Sequence, residues 1–127
     1  MKRNMDLVRD LLLAIEKHPT LADGSQILSV DSSEKLGIQD HSLEEIFYHL
    51  ELLIKKGLID GEITLLYIIS GLTWDGHDFL DSIRDPVIWQ ETKEGVKKAG
   101  GFSLELLSDL AKGLIKKKIE DHTGIQL

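Results

Sequence analysis

The chain has 127 residues, 42% of them hydrophobic, which suits one domain with a real core and argues against disorder as a description of the whole. Lys and Arg number 15 against 22 Asp and Glu, a net charge of −7 that runs against the basic surface usual for nucleic-acid binding. Cysteine is absent, which excludes disulfides and thiolate metal sites and fits a reducing cytoplasm.

No apolar run approaches the length of a membrane span, so no membrane partner is expected. The opening Met1-Lys2-Arg3-Asn4-Met5-Asp6 carries basic residues, but no long apolar stretch stands behind them, because Asp6, Arg9 and Asp10 interrupt it. A signal peptide is not expected, and a cytoplasmic protein is.

Leu7, Val8, Leu11, Leu12 and Ile15 give residues 5–18 the stripe of an amphipathic helix, which Pro19 ends. Thr20 to Gly24 reads as a loop. Gln26 to Val30 is a short strand candidate bounded by Gly24-Ser25 and Asp31-Ser32-Ser33. Residues 33–36 have the length of one helical turn.

The most strongly patterned stretch comes next. Leu43, Ile46, Phe47, Leu50, Leu53 and Ile54 recur at helical spacing, Ser42 is a suitable N-cap, and Glu44 and Glu45 fall in the first turn. Lys55 and Lys56 suit the last turn, Gly57 a left-handed terminator, and Leu58 the residue that folds back on the apolar face. A helix is predicted over 42–56. Leu58 to Asp60 is a candidate strand start, Asp60-Gly61 is a turn signal, and Ile63 to Ile69 is rich in β-forming residues, so a short hairpin is expected with 63–70 extended. Gly71 marks a bulge or a strand end. Thr73 caps a predicted helix over 74–84, which carries Phe79, Leu80 and Ile83 and stops before Pro86. Val87 to about Lys98 is a further helix, Gly100-Gly101 a tight turn, and Ser103 to about Asp121 the last helix.

Four segments together carry a resemblance: MKRNMDLVRDLLLAIE, YHLELLIKKGLI, LTWDGHDFLDSIRD with Trp89 just after it, and the Gly-Gly-Phe-Ser-Leu-Glu-Leu near the end. They resemble a family of small bacterial and prophage-encoded proteins known only as domain of unknown function 2513. The glycine-stopped helix before a Leu-Thr-x-x-Gly turn is also similar to bacterial winged-helix regulators. The resemblance implies a fold and a prophage setting but no reaction, and likeness of fold is a weak warrant for function.

In a winged-helix reader of DNA, the 42–56 helix would enter the major groove and the hairpin would meet phosphates. Its outward positions are Glu44, Glu45, Tyr48, His49, Glu51, Leu52, Lys55 and Lys56, where three acids against two lysines suit a polyanion poorly. From Gly57 to Ile83 the chain has Asp60, Glu62, Asp75, Asp78 and Asp81 and no lysine or arginine. Basic residues collect at the ends instead: Lys2, Arg3, Arg9 and Lys17 early, Lys112 and Lys116 to Lys118 late. Solvated helix faces are the favoured reading of them, ahead of a basic end that contacts nucleic acid or folds onto the acidic centre.

The histidines His18, His41, His49, His77 and His122 show no metal-binding spacing, and Asp75 and Asp78 fit the first turn of a helix better than a metal site. No nucleophile elbow or phosphate-binding glycine loop is present. Trp74 and Trp89, with Phe79 and Ile88 near them, are read as core in preference to a recognition platform.

The expected protein is α+β, mostly α: a winged helix-turn-helix-like domain over residues 1–85, with a helical C-terminal extension over 86–127 packed on the same domain. It is expected to be no enzyme, to need no cofactor or metal, and to bind a macromolecule through Glu44, Glu45, Tyr48, His49, Glu51, Lys55 and Lys56. A protein partner is favoured by the acidic hairpin, with a sequence-specific DNA-binding regulator as the alternative. Leu104, Leu107, Ala111 and Leu114 form an a/d-like seam in the last helix, through which a homodimer is expected.

Overall fold

The computed structural model describes residues 1–18, 28–30, 36–65, 67–100 and 103–127. Helix α1 spans Met5–Lys17. The Asn4 side chain caps it by accepting from the Leu7 amide at 3.2 Å, and Leu7, Leu11, Leu12 and Ile15 are buried along one stripe. Strand β1 is Leu28–Val30. Residues 26 and 27 of the expected strand, the expected loop over 20–24 and most of the expected turn over 33–36 lie outside the described residues.

Helix α2, Leu43–Lys56, has the ends its sequence specifies. Ser42 Oγ accepts from the Glu45 amide at 3.1 Å, and the Glu45 carboxylate accepts from the Ser42 amide, a reciprocal capping box. At the other end Gly57 takes φ 86°, and the Leu58 amide donates back to the Leu53 carbonyl at 2.9 Å. That bond turns Leu58 inward, where it is buried beside the helix it ends. Ile46, Leu50 and Leu53 form the buried stripe. Leu43, expected on that stripe, is 42% exposed, and the buried stripe starts one turn later at Ile46.

Strands β2 (Ile59–Ile63) and β3 (Tyr67–Leu72) form an antiparallel hairpin, and β1 pairs with the free edge of β3, giving the order β1-β3-β2. The expected turn at Asp60-Gly61 is corrected by this register. Those residues lie within β2, and the chain reverses between Ile63 and Tyr67. Leu58 and Ile59 are buried, and the chain continues as strand through Asp60 and Gly61 rather than turning there. Glycine at 61 serves a different need, because a Cβ there would lie 2.5 Å from the Ile68 carbonyl oxygen. The end of β2 at Ile63 and the start of β3 at Tyr67 also divide the stretch expected to be continuously extended. Asp60 faces Gly71 and Gly61 faces Ile69, so β3 carries an extra residue at Ser70, and Gly71 beside it has φ 145°. The expectation of a bulge at Gly71 agrees with that register.

Helix α3 is Trp74–Ile83, α4 is Pro86–Lys98 and α5 is Leu104–Thr123. Asp85 Oδ1 caps α4 by accepting from the Val87 and Ile88 amides at 2.8 and 3.1 Å, and Pro86 occupies the first helical position. Ser103 caps α5, and Gly124 ends it at φ 74°.

The chain divides into two compact units, Met1–Leu80 and Asp81–Leu127, with the boundary inside α3. Within the first, α1 packs on α2 and β3, and α2 packs on β2. Within the second, α4 packs on α5, with Leu110 lying against Gly95. Trp89 is buried, as its sequence context suggests. Among the described residues, no helix is long and apolar enough to cross a membrane. The architecture is α+β and mostly helical.

Candidate macromolecular interface

The sequence singles out the outer face of α2 and the acidic hairpin as candidate surfaces. Glu44, Lys55 and Lys56 are exposed, and Glu45, Tyr48 and Glu51 are half-exposed. Their charges are partly engaged with one another. Lys55 Nζ lies 2.8 Å from Glu51 Oε1, one helical turn away, and that hydrogen bond raises the Lys55 pKa above the ordinary lysine value. Glu45 Oε2 lies 3.2 Å from His41 Nδ1, and this bond, followed by the bond from the Ser42 amide, holds the Glu45 carboxyl below its ordinary range. Exposed pairs of this kind add little stability, but they reduce the charge that Lys55 can offer to a polyanion.

His49 does not belong to this surface, and its expected outward position is corrected. It is 1% exposed. Its Nδ1 donates to the Glu45 carbonyl at 2.7 Å, and its Nε2 accepts from the Asn4 amide at 2.8 Å. The ring therefore ties the buried side of α2 to the residue that caps α1. The spacing Ile46, His49, Leu50, Leu53 was the available signal, since it places the imidazole on the apolar stripe. Replacing His49 with leucine would keep much of the volume but strand the Asn4 amide without its acceptor. The expected cost is about 1–3 kcal/mol, read as a lower urea midpoint; an unchanged midpoint would mean the tether contributes nothing.

On the hairpin side, Phe47 of α2 stacks on Tyr67 of β3, with ring centroids 4.5 Å apart and planes within 6°. This fixes the hairpin against the helix. Asp60 and Glu62 are exposed on β2, and Leu65 is fully exposed at the hairpin tip.

The start of α3 departs most from expectation. Trp74, read from sequence as core, is 82% exposed. Thr73 and Gly76, three residues apart, face the Gly57–Leu58 backbone, so the intervening Trp74 and Asp75 turn outward. The Thr73 hydroxyl donates to the Gly57 carbonyl and accepts from the Gly76 amide at 3.0 Å, and the Thr73 amide donates to the Leu58 carbonyl at 3.1 Å. Gly76 packs so closely that a Cβ there would overlap the Leu58 carbonyl oxygen and lie 2.9 Å from its carbon. The Thr-x-x-Gly spacing is thus a clasp between the end of α2 and the start of α3.

Asp75, His77 and Asp78 are exposed, and His77 Nδ1 lies 3.8 Å from Glu16 Oε2 of α1. In the second unit Lys112 and Lys116 to Lys118 are exposed, and Lys118 Nζ lies 3.4 Å from Asp85 Oδ2. Among the described residues, no three His, Asp or Glu side chains gather as a metal site would require.

Residues 2–103 match the family described as "Hypothetical protein (DUF2513)". The chain is also similar to an uncharacterised protein of Haemophilus influenzae (strain ATCC 51907 / DSM 11121 / KW20 / Rd), 32% identical over 127 residues that span 94% of this chain and 99% of the relative. No solved structure matches it.

Proposed function

The chain belongs to the DUF2513 family of hypothetical proteins, and from that footing we propose that it is a non-enzymatic, winged-helix-like module that acts by binding another protein. The winged-helix reading is supported by the order helix, strand, helix, hairpin, and by the pairing of β1 on the free edge of β3. The helical extension begins at about residue 86.

One observation carries the choice of a protein partner. Where a winged-helix reader of DNA needs cations, the stretch from Gly57 to Ile83 supplies none, and it exposes Asp60, Glu62, Asp75 and Asp78. Phosphate contacts depend on donors, preferably cationic, and non-specific affinity arises from phosphate neutralisation. The Glu51–Lys55 pair lowers the cationic character of α2 further.

A sequence-specific DNA-binding regulator is the second reading, favoured by the helix-then-hairpin order and by exposed Lys56 at the end of α2. An anisotropy titration with duplexes from the gene's own upstream region, at low and moderate salt, separates the two. The expected result is no detectable binding to random duplex at physiological salt. Submicromolar, sequence-dependent binding would overturn the protein-partner reading. In that case removing the Lys55 and Lys56 charges should lower the salt slope by roughly one unit per lost phosphate contact. Changes at Tyr48 should then shift preference among sequences.

A further inference from the structure

We infer that Trp74, with Asp75 and Asp78 beside it, is a docking site for an arginine-bearing segment of a partner protein. The inference rests on the protein-partner reading and adds a second surface, apart from the outer face of α2. Scattered exposed apolar residues are ordinary, but an indole left 82% in water is a large apolar surface that the fold does not cover. Trp89 provides the contrast, being 4% exposed.

Trp74 is also held in place. Its backbone lies between Thr73, bonded to the Gly57 and Leu58 carbonyls, and Gly76, packed against Leu58. An aromatic ring presented from a fixed backbone loses little freedom when it is covered, which is why such residues dominate binding surfaces.

The surrounding charge selects the occupant. Asp78 is one helical turn from Trp74 and shares its face of α3, and Asp75 adjoins it; both are exposed. Neither the hairpin nor α3 contributes a lysine or arginine. A guanidinium lies flat on an indole face while donating to carboxylates at its edge, so one arginine satisfies both features. A nucleic-acid base would also stack on the ring, but its phosphates would meet the carboxylates. A wholly apolar partner would strip water from those carboxylates without replacing their hydrogen bonds.

The test uses the full chain and fluorescein-labelled nona-arginine and nona-lysine peptides, followed by anisotropy at physiological salt. Trp74→Ala leaves the net charge unchanged, so attraction due only to the acidic surface would survive it. The expected result is tighter binding of nona-arginine than of nona-lysine, and a roughly tenfold loss of nona-arginine affinity in Trp74→Ala. Trp74→Phe should recover part of that loss, and Glu105→Gln, on α5, should bind like the parent. Melting curves for each variant establish that it is folded. Parent-like binding by Trp74→Ala, or no nona-arginine binding at all, would overturn the inference. Those results would leave the protein-partner reading on the α2 face, which falls only to tight, sequence-dependent binding of duplex DNA.

Discussion

Gly76→Ala is expected to destabilise the Met1–Leu80 unit by about 3 kcal/mol or more, the upper end of the range for overpacking. The added methyl would overlap the Leu58 carbonyl oxygen and lie 2.9 Å and 3.3 Å from the Leu58 carbonyl carbon and Cα. All three atoms are backbone, so no side chain can rotate aside. Relief requires α3 to lift from the end of α2, which breaks the bonds from Thr73 to Gly57 and Leu58. Against a total stability of roughly 5–15 kcal/mol for a small domain, that loss is a large fraction. Gly113 is the control. It lies exposed in α5, where an added methyl would have nothing within 4 Å, so Gly113→Ala should stabilise by about 0.5–1 kcal/mol through helix propensity. Thermal melts of the two variants should move in opposite directions. A Gly76→Ala protein that melts like the parent would show that the clasp can yield without cost.

Leu50→Ala should cost about 2–5 kcal/mol, the range for truncating a buried leucine. Leu50 is 0% exposed at the middle of α2, between Ile46 and Leu53 on the buried stripe. That helix packs against α1 on one side and β2 on the other. The cavity left by truncation would be bounded by elements already held by the His49–Asn4 bond and the Phe47–Tyr67 stack, so collapse around it is restricted. Leu43→Ala offers the comparison on the same helix, since Leu43 is 42% exposed. It should cost under about 1 kcal/mol, because little apolar area is lost from the interior. Denaturant midpoints for the pair decide the matter, and equal midpoints would mean that α2 buries a different face.

Helix α2 could be read from sequence almost residue by residue. Its capping box, its glycine terminator and its apolar period are local features, each set by groups no more than five residues apart. Backbone sterics and helix geometry act at that range whatever the rest of the chain does. The caps at Asn4, Thr73, Asp85 and Ser103 are local in the same way, whereas the bulge beside Gly71 is defined by the pairing of β3 with β2.

What sequence left undecided depends on which distant surface each element meets. His49 has the spacing of a core residue and the chemistry of a surface one, and the Asn4 amide, 45 residues away, accounts for its burial. Asp60-Gly61 has turn chemistry, but the burial of Leu58 and Ile59 and the approach of Ile68 keep it in a strand. Trp74 and Trp89 both stand near the start of a helix among apolar residues, and one is exposed while the other is buried. Composition cannot separate them. The Thr73–Gly57 bond, 16 residues across the chain, sets the rotation of α3 and so turns Trp74 outward. A helical period states which residues share a face; only packing against another element determines which face is covered.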